Sequence, residues 1–534
     1  MSLKIRYWII LAIKLQLAIP GAIYAQVDFS SSDVPIVAIE TNGQEIPDDP
    51  RIVAGMGIID NGQGNRNYIT DPFNTYQGKI SIELRGSTSQ DFPKKQYAIE
   101  TQNDDGSNKN VSLLGMPAEN DWILYGPYSD KSLMRNVLAY KLSENLGHYA
   151  PRTRICELVL NGEYIGVYVL VEKIKRDNNR VDIAELDPDE TSGDDLSGGY
   201  LLRLDKPSEN YTITWRTSST DTWVQLVYPK SDECAPEQQE YIASYLDNFE
   251  EALYGDNFSD SLVGYRKYLD IPSALDFFFV NELAKNVDAY RLSTYFYKDR
   301  ESRGGKLCFG PVWDFNIAFA NVDYLEGYKT HGLVTPGHPW WDRFLEDNFF
   351  EAALISRWKQ IRECEFSSFR IVEIIDSIAD VLAESQQRNF QCWNILQSNI
   401  WPNYYVGGSY GAELSYLKEW ILARMNWLDD YLKYSPANIG LIRAYETKIY
   451  PNPFVSSFTY EFKLEQAEHI SLQLHDFSGR LIAEIVPNSE FGAGTHRVTW
   501  SSTDSNQILP DGFYAIVLKA GGSIVFTEVI IKSH

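Results

Sequence analysis

The sequence predicts an α+β fold in two lobes, followed by a small all-β unit. Three observations carry this. Short segments of strand-type alternation dominate up to about residue 175. Helical stripes dominate from 340 to 435. After about Ser435 helical periodicity stops and short alternating segments separated by turn clusters take over. Strands early and helices late is the order of a two-lobed α+β unit.

Taking the elements in order, the first 25 residues read as a signal peptide. Lys4 and Arg6 form the charged start, an apolar stretch opens at Trp8, and Ala22 and Ala25 offer small residues for cleavage. Lys14 and Gln16 interrupt the apolar run, which is too short and polar for a membrane span. Residues 26–78 are turn-rich, with apolar runs at Val34–Ile39 and Ile52–Ile59, and read as a β-rich N-terminal extension. Ile80, Ile82 and Leu84 alternate, as do Tyr97 and Ile99, which predicts two strands around a polar turn at Gly86–Gln90. A helix is expected over 129–147, capped by Ser129 or Asp130 and ended by Gly147. Asn161-Gly162 between two apolar runs predicts a hairpin. Residues 177–199 read as an acidic loop, and 272–287 as a helix begun by Pro272. Helices are expected at Phe344–Ile361 and Leu414–Leu432. The tail, with alternation at Ser471–His475, Arg497–Trp500 and Phe513–Leu518, reads as a sandwich of about seven strands, immunoglobulin-like in kind.

The chain has 534 residues, which at about 150 per domain suggests three or four units. Its formal net charge of −25 makes nucleic acid and anionic membranes poor partners. The five cysteines form no CxxC pair, so a thiolate zinc site is not expected. Cys364 and Cys392 could pair, and an odd count leaves at least one thiol free in a monomer. Thirteen Trp and 34 Tyr are many. They keep open a surface glycan-binding reading, in which Trp340, Trp341 and Trp401 would lie exposed on one face, although packing is the commoner role.

The chemistry concentrates at a few positions. Asp288 follows a helix and precedes the aromatic run Thr294–Tyr297; Asp314 sits between Trp313 and Phe315, just after an apolar strand. A carboxylate in such a place is costly unless paired or metal-bound, and the plainer alternative is a turn or capping aspartate. Arg85, Lys94 and Lys95 flank the polar turn, with Lys95, Tyr97 and Ile99 on one strand face. They could hold phosphates, or simply line a solvated edge. His331 and His338 fall in a Pro/Gly-rich loop, where histidines are ordinarily solvated or structural, and Gly407–Gly411 reads as a plain loop.

Five segments in order, IELRGSTSQDFPKKQYAIE, LLGMPAENDWILYGPYSDKSLMRNVLAYKLSENLG, GEYIGVYVLVEKI, GGYLLRLD and GPVWDFN, resemble the CotH (spore coat protein H-like) kinase family over about Ser31 to Tyr434. The resemblance implies an atypical protein-kinase fold with a strand-rich N-lobe and a helical C-lobe over 79–435. It implies ATP and magnesium, and phosphorylation of extracytoplasmic proteins on Ser or Thr. It makes Lys95 or Lys94 the phosphate-pairing lysine, with Glu144 as its orienting carboxylate and Arg85 as a phosphate contact. Asp288 becomes the catalytic aspartate and Asp314 the metal aspartate. Three positions depart from the pattern. Ser293 stands where kinases carry a metal-binding Asn five residues after the catalytic Asp. Asn316 replaces the second Asp of Trp-Asp-Phe-Asp, and Arg203 an expected acid. Ser293 and Asn316 could still ligate magnesium through neutral oxygens. A catalytically degenerate scaffold or adhesion protein is the alternative.

The tail, 436–534, carries IYPNPF, LQLHDFSGRLI, GTHRVTW and LPDGFYAIVLKAGG. It resembles the C-terminal sorting domain of type IX secretion (the Por secretion tail). That implies a Bacteroidota-type organism, handling by the type IX machinery, and a secreted or outer-surface location with no transmembrane segment in the mature chain.

Overall fold

The computed structural model describes residues 27–207, 213–434 and 447–533, apart from 465, 477–479, 504–508, 511 and 521–522. The predicted signal peptide lies outside the described residues.

Seven strands close into a barrel: β1 (Ile36–Glu40), β2 (Ile52–Ile59), β3 (Tyr76–Leu84), β4 (Tyr97–Gln102), β5 (Asp121–Tyr125), β6 (Thr153–Leu160) and β7 (Glu163–Glu172). Their order is β1-β2-β3-β4-β5-β7-β6, closed by a parallel β6–β1 pair. Alternate residues point inward, so Ile80 and Ile82 of β3, Tyr97 and Ile99 of β4 and Trp122 and Leu124 of β5 fill one core. The hairpin falls at Asn161-Gly162 as expected, with Asn161 at φ +51° and Gly162 at φ +80°. The segment read as an N-terminal extension supplies two staves of this barrel, and residue 78 lies inside β3. Closure explains this: β1 and β2 join β6 to β3, and without them two edges would stand open.

Helix α1 (Arg135–Asn145) begins six residues later than the capping pattern suggests. Asp130 does not cap it. Fully buried, its carboxylate accepts from the Ser132 amide (3.1 Å), the Ser132 hydroxyl (2.6 Å), the Arg135 amide (2.8 Å) and the Arg135 guanidinium (2.5 Å). Those bonds wind 129–134 into a loop before the helix starts. Gly147, at φ +90°, ends it as expected.

A second, antiparallel sheet has the order β9-β10-β8-β11-β12, from β8 (Tyr200–Leu204), β9 (Thr214–Arg216), β10 (Trp223–Tyr228), β11 (Thr294–Lys298) and β12 (Leu307–Phe309). With it go the helices α2 (Pro236–Tyr254), α3 (Ile271–Ala284), α4 (Asn348–Glu363), α5 (Ser368–Val381) and α7 (Tyr410–Tyr431), while α6 (Ser385–Cys392) packs against β7 of the barrel. Asp270 caps α3 by accepting from the Ser273 amide at 2.8 Å. The Phe344–Ile361 pattern splits, because Asp347 caps a new helix at Asn348. Trp340, Trp341 and Trp358 are buried in this core, so the first two cannot join Trp401 on an exposed face.

The five cysteines are free thiols. Cys364 is exposed after α4 while Cys392 is buried with its thiol 3.7 Å from the Tyr164 carbonyl, so that pair does not form.

The tail carries seven strands among its described residues: β13 (Thr447–Tyr450), β14 (Ser457–Leu464), β15 (Glu468–Asp476), β16 (Leu481–Phe491), β17 (Gly494–Ser501), β18 (Gly512–Ala520) and β19 (Ser523–Lys532). They form two antiparallel sheets, β13-β14-β17 and β16-β15-β18-β19, over one core that includes Phe458, Phe462, Trp500, Leu472 and Ile516. No helix among the described residues is long and apolar enough to cross a membrane.

Candidate active site

Asp314 is held by the segment that leaves β12. Its backbone is left-handed, at φ +64°, which a non-glycine residue adopts only when its surroundings demand it. Helix α1 supplies the demand. The Asn136 side chain accepts from the Phe315 amide at 2.6 Å, and the Trp313 ring stacks on Tyr140 at 5.8 Å. The Tyr140 hydroxyl lies 3.5 Å from the Asp314 amide. Further on, the Phe319 amide donates to the Ala284 carbonyl at 2.7 Å, tying the segment to the end of α3. Asp314 is reached by solvent, yet protein crowds it: it lies in a cleft. That enclosure, with the negative charges of Asp288 and Asp205, pushes its carboxyl up to about 6, while Arg85 pulls the other way.

Asp288 sits in the turn between α3 and β11. Arg291 donates to its carboxylate at 2.6 Å, and its carbonyl accepts from the Leu292 amide at 3.0 Å. Tyr290 (φ +70°) and Ser293 (φ +49°) give the turn its tight shape. The turn rests on a buried ion pair. Glu282 of α3 meets Arg424 of α7 at 3.0 Å and accepts from the Tyr290 hydroxyl and from the Val334 and Thr335 amides. Burial raises the Asp288 carboxyl, against the pull of Arg291 and Lys206.

Arg85 is the cation the structure brings to Asp314. It leaves the end of β3 and lays its guanidinium over the Trp313 ring, 5.6 Å from the centroid. Lys94 does not reach this cleft. It is fully buried, donating to the Val167 carbonyl (2.6 Å), Asn389 Oδ1 (2.7 Å) and the Pro127 carbonyl (3.3 Å), over the Tyr168 ring. Burial pulls its pKa down to about 7. The Lys95 ammonium donates to the Gln90 carbonyl at 2.6 Å, under the polar turn. Glu144 is exposed and pairs with Lys141 at 2.8 Å, not with either lysine. An exposed position on α1, already paired with Lys141, orients neither lysine.

Asp205 is the residue that pattern reading passed over. It follows β8, where Leu204 pairs with Thr294, so Asp205 and Ser293 are the next residues out. Its charge acts on both Asp288 and Asp314. Arg203, two residues back, donates to Gln225 Oε1 at 2.6 Å and lies 3.6 Å from Asp205. The signal was present: in a strand, residues two apart share a face, so an acid two places after Arg203 stands on the same side.

Among the described residues, no three His, Cys, Asp or Glu side chains form an all-protein metal cage. Magnesium held with a nucleotide ordinarily takes one or two carboxylates and completes its shell with phosphate and water. Asp314 would supply the carboxylate, and Asn316 and Ser293 neutral oxygens. The Asn316 carbonyl accepts from Asn321 Nδ2 at 2.7 Å, which steadies that end of the segment.

A seven-stranded barrel, a second sheet with helices, and a separate all-β tail define a mixed α+β protein, in which Asp288, Asp314 and Arg85 act on one another electrostatically. The chain belongs to the CotH kinase protein family, whose model matches residues 82–428. Residues 448–532 match the secretion system C-terminal sorting domain, which marks the chain for secretion to the cell surface or the extracellular space. No curated protein matches it. Among solved structures, the Pseudomonas fluorescens alkylpurine DNA glycosylase AlkC bound to DNA containing an abasic site analog is similar at 11% identity. That match covers 37% of this chain and 72% of that one with a TM-score of 0.13.

Proposed function

We propose that this chain is a secreted or cell-surface protein kinase of CotH type, transferring the γ-phosphate of ATP to Ser or Thr of an extracytoplasmic protein. In this reading the barrel is the N-lobe, the second sheet and its helices are the C-lobe, and the tail is an immunoglobulin-like sandwich read by the type IX machinery. The observation that carries the reading is the convergence of Asp288, Asp314 and Arg85 on one cleft. Magnesium-bound ATP would supply the phosphoryl group and neutralise its charge. Asp314 would hold the metal, with Asn316 and Ser293. Arg85 would face the phosphates in place of Lys94, whose ammonium is committed between the barrel and α6. Asp288 would orient the acceptor hydroxyl and take its proton, a task that its raised pKa favours.

One set of observations favours a second reading, a scaffold or adhesion protein that has lost transfer. Both neighbouring lysines are engaged by carbonyl oxygens, and Ser293 and Asn316 offer only neutral ligands. Magnesium-dependent ATP binding and phosphate incorporation, measured beside Asp314→Asn and Asp288→Asn, separate the two. The kinase reading expects Asp314→Asn to lose metal-dependent binding, and Asp288→Asn to bind but not transfer. Binding without transfer in the wild type leaves the scaffold. Neither binding nor transfer removes the nucleotide from the account.

A further inference from the structure

Beside the cleft, two loops carry paired aromatic rings with open outer faces. Trp401 is 54% exposed and stacks on Tyr324 at 6.1 Å and 19°. Tyr404 is 49% exposed and stacks on Tyr328 at 4.0 Å and 6°. Each open ring is therefore backed by a second and cannot fold down to bury its face. The backing is fixed in turn: Trp420 donates its indole N–H to the Tyr328 carbonyl at 2.7 Å. Between the two open rings, the Asn403 amide donates to the Ser129 carbonyl (2.7 Å) and to Asn321 Oδ1 (2.8 Å), and Asn321 donates to the Asn316 carbonyl. A buried amide chain thus locks the ledge to the segment that bears Asp314. Tyr324 also lies within the electrostatic reach of Asp288 and Asp314, so the ledge borders the cleft.

We infer that this ledge binds a neutral oligosaccharide, with sugar rings laid on Trp401 and Tyr404. Rigid, flat, solvent-facing π surfaces suit the apolar C–H face of a pyranose. The phenol rims and the exposed Asp323 carboxylate suit its equatorial hydroxyls. A peptide strand would look for a sheet edge to extend, and residues 310–340 and 393–409 contain no strand. The net charge of −25, with Asp323 and Glu326 nearby, disfavours acidic glycans. The sorting domain sends the chain to the cell surface or beyond, where such chains are met. The inference concerns binding alone and stands whether or not the cleft transfers phosphate.

Native affinity electrophoresis of the secreted chain in gels containing dextran, galactomannan, xyloglucan, mannan or, as the acidic comparison, alginate tests it. At least one neutral polysaccharide should retard the wild type, and alginate should not. Trp401→Ala should weaken retention at least tenfold with unchanged melting temperature. Trp401→Phe should keep most of it, and Tyr450→Ala, an exposed aromatic of the tail, should change nothing. No retardation by any neutral polysaccharide, equal retention by Trp401→Ala, or saturation of the ledge by a Lys/Arg-rich peptide instead would overturn it.

Discussion

Asp314 shows how a side chain's surroundings set its chemistry. Its folded pKa, about 6, lies above the ordinary carboxylate value, so the folded state holds the proton more tightly than the unfolded chain does. Stability linked to this group is therefore fully present at low pH and is lost as pH rises from about 4 through about 6. Asp314→Asn should raise the melting temperature at pH 7.5, and the difference should vanish below pH 4, as followed by circular dichroism. Metal affinity should run the opposite way, falling about tenfold per pH unit below 6 because the proton competes for the carboxylate. The lysine pair gives a second test. Lys94→Met removes the buried donor of the Val167 carbonyl and leaves Asn389 Oδ1 with only the Val167 amide, and should cost about 2–4 kcal/mol in urea unfolding. Arg85→Ala should leave stability within about 0.5 kcal/mol and weaken magnesium–ATP binding at least tenfold by calorimetry. A reversed pattern would make Lys94 the phosphate residue after all. Neighbours in sequence point to opposite faces of a strand, so which of Lys94 and Lys95 is buried depends on where β4 starts. The alternation of Tyr97 and Ile99 does not say that.

At the scale of elements, the site rests on joints that no single element contains. Glu282 of α3 and Arg424 of α7 are both fully buried, and together they hold the turn of Tyr290 and the loop at Val334–Thr335. Removing one charge strands the other in a dry interior. Glu282→Gln should cost about 3–5 kcal/mol in denaturant unfolding. The helical stripes of α3 and α7 were readable at 3.6-residue spacing, but the partnership of Glu282 and Arg424, 142 residues apart, was not. The late start of α1 has the same cause. Asp130 looked like a cap because caps are local, whereas its burial against Arg135, whose guanidinium also reaches the Phe319 carbonyl, is a tertiary fact.

The whole molecule divides by its cores. The tail has a hydrophobic core of its own, running from Phe454 to Ile530, separate from the clusters that unite the barrel and the helical part. Residues 27–434 alone should therefore keep the melting transition and nucleotide affinity of the full chain, with a second calorimetric transition disappearing. Loss of the first transition on truncation would show that the tail supports the fold. Strand and helix order, the Asn161-Gly162 hairpin, the family resemblance and the sorting tail were legible in the residues alone. Each of these is written in local periodicity, turn chemistry or the succession of motifs. Packing between distant segments was needed to show that the N-terminal segment closes a barrel and that Lys94 is buried while Arg85 acts on Asp314. It also decided that Asp205 joins the two aspartates and that Trp401 stays exposed while Trp340 and Trp341 do not. Those outcomes depend on which distant surfaces meet, and burial, charge proximity and closure are properties of the meeting rather than of either segment.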